Sequence, residues 1–241
     1  IYIAVKGVGV LRTNQLRLQI GRGVLATISA TLFIIAIAYV PLTDAVAITF
    51  VAPFIVTVLG ALILKEPVGI RRWAAVVIGF LGTLIVIRPG MGIVHPAAFL
   101  LIIAASAFAC RQILSRVLAG EDRTSTTVAY TAIVSWGLLT LPLLFVWKTP
   151  STATEIILLV SMAALAALAE TCVIIALATA QAVVVAPVQY TLLLWGTMYG
   201  FLIFGQLPDS WTLIGAVIIA ATGLYTLNRE RLANAHKQKR A

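Results

Sequence analysis

The chain has 241 residues, 61% of them hydrophobic and 10% charged, and a mean hydropathy of +1.08. Soluble domains carry about 25% charged and about 45–50% apolar residues, so the composition excludes a water-soluble globular fold and points to a polytopic membrane protein. The net charge of +9 would suggest a nucleic-acid partner in a soluble protein, but here it reflects Lys and Arg gathered on one side of a lipid bilayer, and no nucleic acid is expected.

Ile1 opens an apolar stub, IYIAVKGVGVL, without a secretory signal pattern. A sequence that starts without methionine inside such a stub is expected to lack its natural N-terminus. A bilayer-crossing helix needs about 20 mostly apolar residues, with its backbone groups satisfied internally. Eight such runs follow, near residues 21–40, 44–64, 72–88, 97–118, 126–147, 154–177, 183–205 and 211–227. Turn and charge signals part them at Pro41, Lys65-Glu66-Pro67, Arg88-Pro89-Gly90, Gly120-Glu121-Asp122, Thr149-Pro150-Ser151 and Leu207-Pro208-Asp209. The break at 178–182 is the weakest, holding only Ala, Thr and Gln.

Basic residues orient these spans. One set of alternate loops holds Arg12, Arg17 and Arg22, then Lys65, Arg71 and Arg72, then Arg111, Arg116 and Arg123, and with the basic tail this side carries fourteen, against Arg88 and Lys148 on the other. The richer side is cytoplasmic, and the C-terminus lies there. Trp73, Trp147 and Trp211 mark span ends as interface anchors, whereas Trp136 and Trp195 fall near span centres.

The chain also repeats itself. "AITFVAPFIVTVLGALILKEPVGIRRWAAVVIGFLGTLIVI" aligns loosely with "AVVVAPVQYTLLLWGTMYGFLIFGQLPDSWTLIGAVIIAATGLYTL". Each carries Ala-Pro early in a long span, a polar pair before a proline, then a tryptophan and a Gly-bearing helix. The first copy ends on the outer side and the second on the inner, so the copies are inverted. Five spans follow Arg88, and symmetry asks for five before it. Inverted repeats are a signature of secondary transporters, with sites at the repeat interface.

These segments resemble the two repeats of the EamA family, in the drug/metabolite transporter superfamily. The resemblance runs from about Arg12 to Glu230. It implies an all-α polytopic membrane protein of ten helices in two inverted five-helix repeats, eight of them visible, with the first repeat truncated at its N-terminus. Residues 1–90 would be the first repeat, 91–230 the second, and 231–241 a basic cytoplasmic tail. It implies transport of a small-molecule solute (amino-acid-like, nucleoside-like or vitamin-like) across the inner membrane. Proton coupling and a homodimer are both open. Gln206 stands where the second repeat often has glutamate.

Glu170 is the sharpest site candidate. It lies within the 154–177 span, where a carboxylate is costly unless protonated, paired or wet. It reads as a substrate or proton site, or as half of a structural pair. Gln189, Tyr190, Trp195 and Tyr199 line the 183–205 span, as an aromatic pocket or as packing. Gly196 and Gly200 form a close-packing motif. Trp136 lines a cavity or faces lipid. Thr49 and Thr57 face a cavity or bond back to their own helix. Asp44 reads as an N-cap, Arg111 as a snorkelling side chain, His95 and His236 as loop residues, and Cys110 and Cys172 as buried thiols. Pro53 and Pro187 kink corresponding spans. No zinc spacing, nucleotide-binding loop or nucleophile elbow occurs, so no cofactor or metal is expected and transport would run on a gradient or uncoupled. A membrane enzyme would need a second intramembrane polar partner for Glu170, such as His or Asp, and no span is expected to offer one. A non-transporting scaffold is the third reading.

Overall fold

A computed structural model of the chain describes residues 11–66, 68–87, 96–185, 191–205 and 209–238. The regular elements among them are helices: α1 Leu16–Ala36, α2 Leu42–Thr49, α3 Val51–Leu62, α4 Ile70–Ile87, α5 Ala97–Leu118, α6 Thr124–Val146, α7 Ala153–Thr179, the single turn α8 Ala182–Val185, α9 Thr191–Phe204 and α10 Ser210–Gln238. Among the described residues, five stretches are long and apolar enough to cross a bilayer: Leu16–Ala36, Asp44–Leu62, Ala97–Leu118, Thr124–Val146 and Ala153–Thr179. The described residues form an all-helical, multi-pass membrane protein.

The helix boundaries follow local chemistry. Thr152 caps α7 by accepting from the Glu155 N–H at 3.3 Å, while Glu155 Oε2 accepts from the Ser151 N–H at 2.8 Å. Asp209 accepts from the Thr212 N–H at 2.8 Å at the start of α10. Asp44 is not the cap of α2. Pro41 precedes the helix, and Asp44 sits in the first turn, accepting from the Thr212 hydroxyl at 3.0 Å. Lys65 ends the segment after α3 with a φ of 52°, and the Glu66 N–H reaches back to the Gly60 carbonyl at 3.1 Å.

The predicted 44–64 span is two helices. Phe50 separates α2 from α3, and its N–H bonds to Ala47, three residues back, at 3.2 Å. Pro53 explains the position. It has no N–H to give the Thr49 carbonyl, and its ring crowds that carbonyl. Pro53 itself is buried in the first turn of α3. Pro187 lies outside the described residues.

The chain forms two compact units, Ile1–Thr27 with Leu114–Ala180, and Ile28–Ile113 with Gln181–Ala241. In the second, α10 packs most extensively along α4, α9 packs on α2, and α8 packs on α3. Gly82 permits the α4–α10 approach, since a Cβ there would lie 3.1 Å from the Gly215 carbonyl oxygen. Gly196 does the same for α9 against Val46 of α2. Ala36, Ala45, Ile48, Leu101 and Ile219 are at the heart of its core. In the first unit, α6 packs on α7, and Gly23 of α1 abuts Val134 of α6.

The first span differs from expectation. It covers 16–36 rather than 21–40, and residues 37–40 form a turn. Arg17 and Arg22 are helical, not loop residues, and polar groups of α5–α7 and of the α5–α6 turn receive Arg22 and its neighbour Gln19. Cys172 is exposed on α7 and Cys110 is half-buried, so neither is the fully buried thiol expected.

A Cβ on Gly23 would sit 2.6 Å from the Val134 Cβ. Gly23→Ala should therefore destabilise the protein by about 1–3 kcal/mol. Val134→Ala should recover much of that loss in the double variant, measured as thermal unfolding in detergent.

Candidate functional site

The first unit holds a buried polar network. Its centre is Arg22, 1% exposed, paired with Glu170, 20% exposed. Arg22 lies six residues beyond the start of α1 and Glu170 nine residues before the end of α7, roughly 9 and 14 Å along their helices. An isolated charge at such depth is costly, and intramembrane charges pair or face water. The guanidinium is held by more than the carboxylate. Its Nε donates to the Ser115 hydroxyl at 2.6 Å, one Nη donates to Thr131, and the other donates to Glu170. A planar guanidinium suits this, since its donors diverge in fixed directions toward three helices.

The network extends along the α1–α6 seam. Thr127, Thr131 and Ser135 recur every four residues and so share one face of α6. Gln19 Nε2 donates to Thr127 at 3.2 Å, Arg22 to Thr131, and the Thr27 hydroxyl to Ser135 at 2.8 Å. At the near end, Asp122 Oδ2 accepts from Thr13 at 2.5 Å and from Gln19 at 2.7 Å. Arg116 donates to the Leu177 carbonyl at 3.0 Å, closing the C-terminal end of α7. A groove of about 630 Å³ runs between α6 and α7, lined by Ala129, Ala132, Ile133, Ala167, Leu168 and Thr171 among others. Ala167 and Thr171 flank Glu170 in sequence.

The sequence-predicted residues fall as follows. Glu170 gains Arg22. Trp136 belongs to the same unit and is 74% exposed, outside the network. In the other unit, the Thr49 hydroxyl donates to Val46 at 2.7 Å and that of Thr57 to Pro53 at 2.9 Å, both within the local helical turn. Trp195 stacks on Tyr199, with centroids 6.2 Å apart. Arg111 lies 4.7 Å from the Phe108 ring centroid. Gln189, Tyr190, Gln206 and His95 lie outside the described residues, and the His236 side chain is likewise not described. Among the described residues no cluster of His, Cys, Asp or Glu could hold a metal.

The expectation that no span supplies a polar partner for Glu170 is overturned by Arg22. That arginine was placed in a cytoplasmic loop because a basic residue near an apolar run usually marks its end. The signal available was the hydroxyl stripe on α6. Thr127, Thr131 and Ser135 at intervals of four in a greasy span need partners, and Gln19, Arg22 and Thr27 offer a matching stripe.

A charged pair inside the spans of a multi-pass helical protein marks a functional site in the membrane, and the proteins that this chain resembles are membrane transporters. The model of the EamA-like transporter family matches residues 1–88. The riboflavin transporter of Vibrio cholerae is 32% identical over 210 residues, covering 87% of this chain and 70% of that protein. The S-adenosylmethionine uptake transporter of Rickettsia prowazekii is 26% identical over 239 residues, covering 99% of this chain and 81% of that one. A protein solved by crystallography shares the fold, with a TM-score of 0.66 at 18% identity, over 96% of this chain and 83% of that one. The chain belongs to the EamA family, within the drug/metabolite transporter superfamily. It is a transporter, not an enzyme.

Removing one member of the ion pair strands the other. Arg22→Met and Glu170→Met should each destabilise the protein, the second by about 3–5 kcal/mol, because it strands the almost fully buried Arg22, and the first by less, because the carboxylate it strands is partly exposed. The double variant should cost clearly less than the sum. Thermal unfolding of all four proteins completes the cycle.

Proposed function

We propose that the chain is a secondary transporter that moves a small metabolite across the inner membrane by alternating access between two inverted repeats. The observation that carries this reading is the Arg22–Glu170 pair inside the spans. A buried ion pair is weak support for stability, since packed apolar side chains of similar volume often do as well or better. Its presence argues for use. Parting the pair leaves two uncompensated charges, which a charged solute between them or a proton on Glu170 would offset. Glu170 and Arg22 are thus the centre for substrate contact or proton coupling, with the Ser115 and Thr131 hydroxyls holding Arg22 in place.

The repeat reading draws support from packing within the second unit. The segments that matched in sequence give rise to α2–α3 and α8–α9, and to α4 and α10. α2 packs on α9, α3 on α8 and α4 on α10, as a pseudo-twofold relation between inverted copies would require. On this reading residues 1–90 and 91–230 are the two repeats of a ten-helix architecture, and 231–241 is a cytoplasmic tail. Relatives named for riboflavin and S-adenosylmethionine transport support a vitamin-like or nucleoside-like solute among the classes open from sequence.

The test is flux of riboflavin and of S-adenosylmethionine in proteoliposomes over a range of pH, with Glu170→Gln as the variant. Glutamine keeps a hydrogen-bond acceptor for Arg22 and removes the charge. Flux should fall about tenfold or more, or lose its pH dependence. Unchanged flux with an unchanged pH profile, in a variant that elutes as folded protein, overturns the assignment.

A further inference from the structure

The groove between α6 and α7, about 630 Å³ in volume, is a feature that the ion pair does not account for. It begins where the span begins. Thr124 and Ser125 in the first turn of α6 line one end, with Ile175 near the end of α7. Arg116 of α5 marks the same end, donating to the Leu177 carbonyl two residues beyond Ile175. From Thr124 the lining reaches Ile133, about 14 Å along the helix. The hydrocarbon core of a bilayer is about 30 Å thick, so the groove is about one leaflet deep. Ala132 and Ala167 line it from the two walls, and their small side chains leave the depression. Water does not fill apolar space of this kind.

The chemistry changes along its length. Ile133, Ala167 and Leu168 at the deep end offer only hydrocarbon. The shallow end offers the hydroxyls of Thr124 and Ser125, and the exposed Arg123 precedes them. α6 starts there, and its first N–H groups add partial positive charge. The carbonyls that end α7 would repel an anion, but Arg116 covers two of them, at 3.0 and 3.4 Å. Thr13 and Gln19 tie the start of α1 to Asp122 in the α5–α6 turn. This end of the unit therefore carries Arg12, Arg17, Arg116 and Arg123 against Glu121 and Asp122, and its charge is positive in sum. An occupant that suits both ends is amphiphilic, with a tail one leaflet long and an acidic head.

We propose that the α6–α7 groove seats an anionic phospholipid, with one acyl chain along the groove and the phosphate at Thr124, Ser125 and Arg123. A chain lying in a concavity makes contacts on two sides, where on a flat helix face it makes them on one. The acidic head sets this lipid apart from its zwitterionic neighbours, since each basic side chain near the surface favours it. The site lies within the first unit and goes beyond the transport reading. Its test reads lipid binding rather than flux, so either reading can fail without the other.

The full chain in detergent micelles is titrated with phosphatidylglycerol and, separately, with phosphatidylcholine of the same acyl chains. Native mass spectrometry counts the bound lipid, and thermal unfolding gives the midpoint. Phosphatidylglycerol should bind about fivefold tighter or more. Arg123→Gln should lose most of that preference. Lys148→Gln, which removes an exposed charge beyond the far end of α6, should keep it. Ala132→Phe should fill the groove and weaken binding of both lipids about tenfold, the worth of two or three buried CH₂ groups. Its lipid-free midpoint should be unchanged, because Ala132 is exposed. Ala167→Phe fills the groove from the facing wall and serves if Ala132→Phe proves unstable. No preference for phosphatidylglycerol overturns the proposal. So does a preference that survives Arg123→Gln or falls equally in Lys148→Gln, or binding that neither groove variant weakens. A dimer that forms without lipid and excludes it overturns the proposal as well.

Discussion

Hydrocarbon offers no hydrogen bonds, so every charge and backbone group placed in it must find its partner within the protein. In this chain that constraint is concentrated on one side chain, Arg22. Burying a guanidinium in lipid is feasible only with an opposite charge and with acceptors for its remaining donors. Glu170, Thr131 and Ser115 supply these from three different helices. The register of α1 against α6 follows, since Gln19 and Thr27 then meet Thr127 and Ser135. Gly23 follows as well, because α1 can approach α6 this closely only where no Cβ intervenes.

The same constraint shapes the interrupted helices. Pro53 removes one backbone bond from a span that can ill spare it, and the chain breaks the helix at Phe50 instead of straining it. Thr57 returns its hydroxyl to the Pro53 carbonyl, so that buried hydroxyl is satisfied within its own helix. Such non-helical backbone is tolerated in a membrane where protein or a wet cavity surrounds it. Phe50, Val51, Ala52 and Pro53 are buried, which meets that condition.

Much of this was legible in the sequence. Apolar runs bounded by Pro, Gly and charge located the spans, because a bilayer sets their length and their composition together. Glu170 stood out for the same reason. Arg22 did not, because a basic residue close to a span end satisfies the positive-inside pattern whether it lies in water or in a buried pair. Deciding between the two needs to know what faces it, and Ser115, Thr131 and Glu170 lie at least 93 residues away in the chain. Asp44 was misread for a similar reason. Its side chain suits an N-cap, yet Pro41 already opens the helix and the partner of Asp44 is the distant Thr212.

The first unit shows how buried polarity is held. Arg22, Glu170 and the α6 hydroxyls form a network in which each member holds its neighbours. A satisfied network in a low dielectric resists piecemeal rearrangement, because loosening one bond exposes the desolvation cost of the rest. Parting Arg22 from Glu170 is therefore costly unless something of equal charge takes the place of one of them.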